Sequence, residues 1–269
     1  MKYEAIITDF DDTLLRSDGA ILPETISAIK DYEKRGGKFV ICTGRNLSSM
    51  LKIAKNLNLT GYVIASQGAI IYNLDNGEYI LNEGIEPSIA VEVLRDLESL
   101  GEYAQVYFDG DAYNDKSVEE ITDYYENACN IKVVNLNEKL SEHILRTQKK
   151  THKILSITSE EKIPGLIEKF SNKYGDKLLV NTSKPVLFEI VDKRLTKGTA
   201  IEKLSTIIGV DTKNMIGIGD SMNDIPLLNA VGLKIAVANA SQVLKDVADE
   251  VTVSCDENAL GVIIEKYGK

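Results

Sequence analysis

The order of its sequence patterns predicts an α/β fold: a doubly wound, Rossmann-like parallel-sheet core with a smaller α/β unit inserted into it. Three observations carry that expectation. Short apolar runs alternate with helical patterns from Ala5 to Ala65, the rhythm changes after Ser66-Gln67-Gly68, and the first rhythm returns from Lys197. A repeated strand-helix-strand order implies parallel strands joined by right-handed crossovers.

Ala5-Ile6-Ile7-Thr8 reads as a buried strand that runs into Asp9-Phe10-Asp11-Asp12-Thr13-Leu14. Pro23-Glu24 opens a helix with Ile26, Ile29 and Tyr32 at three-residue steps, and Gly36-Gly37 closes it. Lys38 to Cys42 is a second strand leading into Thr43-Gly44-Arg45. A second helix places Leu47, Met50, Leu51, Ala54 and Leu57 on one face, and Tyr62 to Ala65 is a third strand. Ala69 to Tyr72 and Tyr79 to Leu81 flank Asp75-Asn76-Gly77 as a hairpin.

Beyond the hairpin a helix carries Ala90, Val93, Leu94, Leu97 and Leu100, and a strand from Tyr103 to Phe108 meets a turn at Asp109-Gly110. Strands at His152 to Thr158, Lys177 to Asn181 and Val186 to Val191 alternate with helices, one bearing Ile163, Leu166, Ile167, Phe170 and Tyr174. The stretch from Asn127 to Lys150 is the least legible part of the chain. From Lys197 come a helix through Ile208, a strand at Met215 to Ile218, a helix after Asp224, a strand from Lys234 to Val237, a helix near Val243 to Val247, a strand at Val251 to Val253 and a last helix from Asn258. The expected division is therefore a discontinuous core, residues 1–83 and 188–269, around an insertion at 84–187.

With 269 residues the chain can bury one large core or two modest ones, and its 43% hydrophobic and 27% charged content is ordinary for a globular protein. A net charge of -10 argues against nonspecific nucleic acid or anionic membrane binding, which use clustered Lys and Arg. It leaves room for a phosphorylated substrate, which needs only local positive groups. Cys42, Cys129 and Cys255 form no close-spaced motif, so a reduced, cytoplasmic setting is expected. No stretch reads as a signal peptide or is apolar for long enough to span a bilayer.

Four segments carry candidate chemistry. Asp9 and Asp11 lie two apart, so an extended backbone would project both carboxylates to one side, at the edge where an open α/β sheet binds ligands. Like charges this close raise one another's pKa or recruit a hard cation, although Asp is also a common turn residue. In Thr43-Gly44-Arg45 a hydroxyl, a glycine amide and a helix start could hold an anion, or Thr43 could cap the helix. Lys197-Gly198 opens a helix, where the dipole disfavours a cation unless an anion is near. Gly219-Asp220-Ser221-Met222-Asn223-Asp224 follows a strand. If a helix begins there, Asp220 and Asp224 share a face, and Asp220 could be its N-cap. Acidic residues, a lysine and an anion-holding turn at strand ends suit phosphoryl transfer, in which catalysis is mainly positioning and charge neutralisation. A magnesium ion and Lys197 would offset the repulsion between a carboxylate and a phosphate dianion.

These four segments, in this order and spacing, resemble the motifs of the haloacid dehalogenase-like superfamily, in particular its Cof-type branch of capped sugar-phosphate and related small-molecule phosphatases. Gln67-Gly68-Ala69 and Asn239-Ala240 resemble branch-typical segments, so the likeness covers essentially the whole chain. The resemblance implies that Asp9 is the nucleophile that forms an aspartyl-phosphate, and that Asp11 is the general acid that later activates water. Thr43 and the Gly44 amide would hold the phosphoryl oxygens, and Lys197 would pair with phosphate and nucleophile. Mg2+ would be bound by Asp9, the Asp11 main-chain carbonyl and Asp220, with Asn223 and Asp224 nearby. Arg45 would reach the substrate or pair at the surface. The family commonly has glycine at position 12; Asp12 tolerates left-handed backbone better than most residues, but adds a negative charge.

The insertion takes the position of the branch's α/β cap, which excludes water and contacts the leaving portion of the substrate. Its tyrosines, Tyr103, Tyr107, Tyr113, Tyr124 and Tyr125, are expected in the core rather than against a sugar, and His143 and His152 are expected to be surface or structural residues rather than ligands. The partner implied is a small phosphorylated metabolite, and the protein a monomer or weak homodimer. Two other functions use the same Asp9: a phosphomutase or phosphotransferase that hands the group to a second alcohol, and a regulatory phospho-acceptor that does not turn over. Asp11 and the cap argue against the latter.

Overall fold

The computed structural model describes residues 2–123, 126–127 and 131–268. Two compact units emerge: residues 1–45, 50–82 and 196–269 form one, and residues 46–49 and 83–195 the other. In chain order the elements open with β1 (Ala5–Thr8), α1 (Pro23–Lys34), β2 (Lys38–Cys42), α2 (Leu47–Leu57), β3 (Tyr62–Ala65), β4 (Ile70–Asn73) and β5 (Glu78–Asn82). There follow α3 (Pro87–Ser99), β6 (Gln105–Phe108), β7 (Asp111–Asn114), α4 (Glu119–Asp123), β8 (Val133–Asn135), α5 (Leu140–Thr147), β9 (Ile154–Ile157), α6 (Ile163–Tyr174), β10 (Leu178–Lys184) and β11 (Leu187–Asp192). The chain closes with α7 (Lys197–Ile208), β12 (Met215–Gly219), α8 (Ile225–Asn229), β13 (Leu233–Ala236), α9 (Gln242–Lys245), β14 (Glu250–Val251) and α10 (Ala259–Tyr267).

In the first unit the sheet order is β14-β13-β12-β1-β2-β3-β4-β5, parallel from β14 to β3 and antiparallel across the β3-β4-β5 meander. Every residue of β1 and β12 is buried. Both strands are covered on both faces, which is why they read as continuous apolar runs rather than as alternating ones. The chain leaves β1 toward β2 on one side and returns to β12 on the other. That reversal of strand order at the carboxyl ends of β1, β2 and β12 is where an open α/β sheet forms its crevice. The doubly wound core and the Asp75-Asn76-Gly77 hairpin are as the sequence predicts.

The second unit has its own sheet, ordered β10-β11-β9-β6-β7-β8 and antiparallel except for β7 with β8. Alternation along β6, β9 and β11 sends Val106, Phe108, Ile154, Phe188 and Ile190 to one face, where they pack with Leu94, Ile144 and Phe170 of α3, α5 and α6. Tyr107, Ala112, Ile131 and Leu155 form a smaller cluster. The insertion ends later than residue 187, because β11 pairs with both β9 and β10 and lodges Phe188 and Ile190 in this core. Within its described part the stretch 127–150 includes the three-residue β8 and the eight-residue α5.

Tyr107 is buried and Tyr113 stacks on Phe108 at 4.1 Å, while the Tyr103 hydroxyl accepts a hydrogen bond from Asn114; Tyr124 and Tyr125 lie outside the described residues. His143 stacks beside Phe108 and bonds Glu138, and burial pushes His152 down to about 4. His143 is half-buried and His152 buried, and neither belongs to the carboxylate cluster found among the described residues.

One glycine decides how the two halves of the core meet. Gly68, just after β3, has φ +105°, and a Cβ there would run into the Thr196 main-chain carbonyl and approach the Lys197 nitrogen. A positive φ and a backbone contact at the same residue leave no low-energy alternative to glycine. Gly68→Ala is expected to lower unfolding stability by about 1–3 kcal/mol, measured by urea denaturation, and to displace the start of α7. Wild-type stability in this variant would contradict the packing described.

Candidate active site

β1, β2 and β12 end at one edge, and each delivers a polar residue there. The ladder continues one residue past β1, with the Asp9 N–H donating to the Ile218 oxygen at 2.8 Å, so Asp9 is held in register with β12. Asp9 is 5% exposed. The chain then turns sharply: Asp11 is extended but Asp12 is left-handed at φ 54°, the conformation that the departure from glycine has to accommodate.

Lys197 lies at the first position of α7. A reciprocal capping box between Thr196 and Thr199 starts the helix and meets the donors that an N-terminus leaves open. Its side chain is fully buried, and Nζ donates to Asp9 Oδ1 at 2.5 Å and to Asp224 Oδ1 at 2.6 Å. The anions expected to offset an ammonium at a helix start are thus two carboxylates of the same site.

After β12 the backbone does not enter a helix at Asp220. A tight turn, Met222–Asp224, comes first and α8 follows it, so Asp220 and Asp224 do not share a helical face. The N-cap is Ser221, reciprocally bonded with Asp224, and not Asp220. What brings the two carboxylates together is the turn itself: Asp224 Oδ2 accepts from the Asp220 and Ser221 N–H groups, each at 3.1 Å. Asp224 is completely buried with both oxygens in use, whereas Asn223 is exposed and its side-chain oxygen accepts from the Ser221 hydroxyl. Asp220 is half-buried and accepts from Thr13 at 3.2 Å.

At the end of β2, Thr43 is buried and its hydroxyl accepts from the Arg45 N–H at 3.1 Å. Since α2 begins only at Leu47, Thr43 does not cap it and the helix start is separate from the Thr43-Gly44 turn. Gly44 lies against Gln67, whose amide nitrogen would be 2.6 Å from an added Cβ. Arg45 grips Asp11 with two donors, Nη2 to Oδ1 at 2.6 Å and Nε to Oδ2 at 2.9 Å, and its guanidinium lies 5.1 Å from the Phe10 ring centre. The Asp11 carboxylate is therefore turned to Arg45 and stands outside the acidic cluster, although two residues from Asp9.

One oxygen each from Asp9, Asp220 and Asp224 lies within 4.8 Å of the others. Three carboxylates against one ammonium leave two negative charges uncompensated when all are ionised. Burial first, and this excess charge after it, raises the pKa of two of the carboxyls. Burial pushes the Asp9 carboxyl above the ordinary range despite Lys197, and burial with the Asp224 charge pushes Asp220 up to about 6. For Lys197, burial alone would lower the pKa, but Asp9 and Asp224 outweigh it and hold the ammonium charged. An all-oxygen donor set carrying excess negative charge fits a hard divalent cation.

Thr13, Gln67 and Asn239 belong to segments singled out in the sequence, yet the roles the structure gives them were not legible there. Thr13 bonds Asp220, Gln67 limits the Gly44 turn, and the Asn239 amide reaches the Asp12 carbonyl. Each contact joins residues distant in sequence, so no local pattern signals it.

A family model described as haloacid dehalogenase-like hydrolase matches residues 6–264. The chain is 30% identical over 267 residues to a Haemophilus influenzae protein named "Putative phosphatase", covering 99% of this chain and 98% of that one. Among solved structures, TM0651 from Thermotoga maritima matches with a TM-score of 0.88 at 30% identity, covering 98% of this chain and 97% of the other. The HAD subclass IIB sugar phosphatase BT4131 shares the fold, with a TM-score of 0.78 at 21% identity over 98% of this chain and 99% of that one. With motif residues from four distant segments gathered at one sheet edge and a match that spans nearly every element, the chain belongs to the haloacid dehalogenase-like hydrolase family.

Proposed function

We propose that this phosphoric monoester hydrolase is a Mg2+-dependent phosphatase of small phosphorylated metabolites, sugar phosphates or similar, acting through an aspartyl-phosphate on Asp9. The observation that carries the reading is the environment of Asp9: one oxygen is fixed by Lys197, and among the described residues the other accepts no hydrogen bond. A carboxylate so held has one oxygen committed and one able to attack. The sugar phosphatase among the fold relatives supports the substrate class.

In the first step the free Asp9 oxygen forms a bond to phosphorus while the bond to the leaving oxygen breaks, and Asp11 gives that oxygen its proton. In the second step water attacks the phosphorus, Asp11 takes the water proton, and Asp9 is released as carboxylate. The Thr43 hydroxyl and Gly44 amide hold phosphoryl oxygens, and Lys197 neutralises charge on nucleophile and phosphate. Arg45 positions Asp11 through its paired hydrogen bonds. Asp9, the Asp11 main-chain carbonyl and Asp220 would hold Mg2+, with Asn223 and Asp224 nearby; when bound it lowers the repulsion between carboxylate and phosphate. Asp224, with both oxygens engaged, serves chiefly to anchor Lys197 and the Asp220 turn. The inserted unit carries none of these residues, and its part in this reading is to select among metabolites. Cys42 and Cys255 are free thiols, in keeping with a cytoplasmic setting.

Asp9→Ala is expected to abolish hydrolysis of p-nitrophenyl phosphate. Asp11→Asn should spare the first step with this good leaving group while slowing the second by about 100-fold or more, so that phosphoenzyme accumulates in a rapid acid quench. Normal turnover by Asp9→Ala, or wild-type hydrolysis of alkyl phosphates by Asp11→Asn, would refute the assignment.

Exhaustive chelation should remove activity and added Mg2+ restore it. Ca2+, larger and less strict in geometry, should restore little. Undiminished hydrolysis in chelator would rule out the cation.

A further inference from the structure

The loop that follows β13 ties together the two loops bearing the acidic side chains. Asn239 Nδ2 donates to the Asp12 main-chain oxygen at 2.7 Å, and Asn239 Oδ1 accepts from the Cys255 N–H at 2.9 Å. Two residues on, the Ser241 N–H donates to the Asp220 main-chain oxygen at 2.8 Å, and the Ala238 N–H donates to the Val253 oxygen at 3.1 Å. Because the amide donates at one end and accepts at the other, only one of its two orientations serves both partners. The Asp12 carbonyl it grips belongs to the left-handed residue of the turn, a conformation that is costly for a non-glycine residue. The hydrogen bond from Asn239 offsets part of that cost.

We propose that Asn239 is a positioning residue for the cation site. It holds the Asp11-Asp12 turn in its left-handed form and, through the Ser241 tether, at a fixed distance from Asp220, so that the Asp11 main-chain carbonyl and the Asp9 and Asp220 carboxylates face one ion. This inference rests on the metal site proposed above. No side chain of the 238–241 loop touches the substrate in this account; the loop acts by keeping two acidic loops in register.

Two variants separate this role from simple loop anchoring. Asn239→Ala removes both hydrogen bonds, whereas Asn239→Asp keeps the acceptor for Cys255 and turns an oxygen toward the Asp12 carbonyl. Mn2+ alone, as an oxygen-ligand surrogate for Mg2+, is titrated against full-length protein and followed by electron paramagnetic resonance, with circular dichroism to establish folding. Both variants are expected to bind Mn2+ about tenfold more weakly, with kcat on p-nitrophenyl phosphate falling by a similar factor and KM changing little. The added charge of Asn239→Asp would by itself tighten cation binding, so weakened binding in that variant reports lost geometry. Wild-type Mn2+ affinity in either folded variant overturns the proposal. Failure of the Asp9 reading would appear elsewhere, as undiminished turnover by Asp9→Ala.

Discussion

The active-site architecture depends on a buried ammonium. Lys197 has no access to solvent, and an uncompensated charge in that position would be too costly to keep. Its two carboxylate partners come from opposite directions along the chain, Asp9 from the end of the central strand and Asp224 from the turn after β12. Breaking such a group by removing one member is far more damaging than its net worth suggests, because the remaining charges stay buried. The constraint runs both ways: the carboxylates keep Lys197 charged, and Lys197 holds Asp9 and Asp224 together.

Much of the surrounding backbone is explained by the need to bring that ammonium into place. The Thr196 and Thr199 capping box sets the first turn of α7, and Gly68, in the turn after β3, lets the Thr196-Lys197 backbone lie directly against it. The Asp224 carboxylate gathers the Asp220 and Ser221 N–H groups, so the residue that anchors the lysine also shapes the loop that presents Asp220. Excess negative charge remains, concentrated on Asp9, Asp220 and Asp224 in a cluster that could hold a metal ion. A site arranged this way is poised for charge to be brought in with its ligands.

The core and most of the site were legible in the sequence because their signals are local. Buried parallel strands such as Ile6-Ile7 and Ile216 read as apolar runs, and a polar residue directly after such a run must lie at the sheet edge. Lys197 stood out because the helix dipole disfavours it. The helix after Asp224 was legible, but whether Asp220 or Ser221 caps the turn before it was not, because both are good N-cap residues and only the turn geometry chooses Ser221. Arg45 gave no sign that it would grip Asp11, since the pair is 34 residues apart. Likewise Leu187–Asp192 was recognisable as a strand, but which sheet it joins depends on pairing with β9 and β10, which composition does not encode.

A double-mutant cycle on Lys197 and Asp224 tests the central constraint most directly. Urea unfolding of the wild type, Lys197→Met, Asp224→Asn and the double variant would be compared in chelator, so that no cation replaces the missing charge. Each single variant should be strongly destabilised, and the double variant should recover part of the loss, giving a coupling energy of about 2 kcal/mol or more. Additive losses would mean that the ammonium and carboxylate are buried independently, and the account of the site as built around their pairing would be wrong.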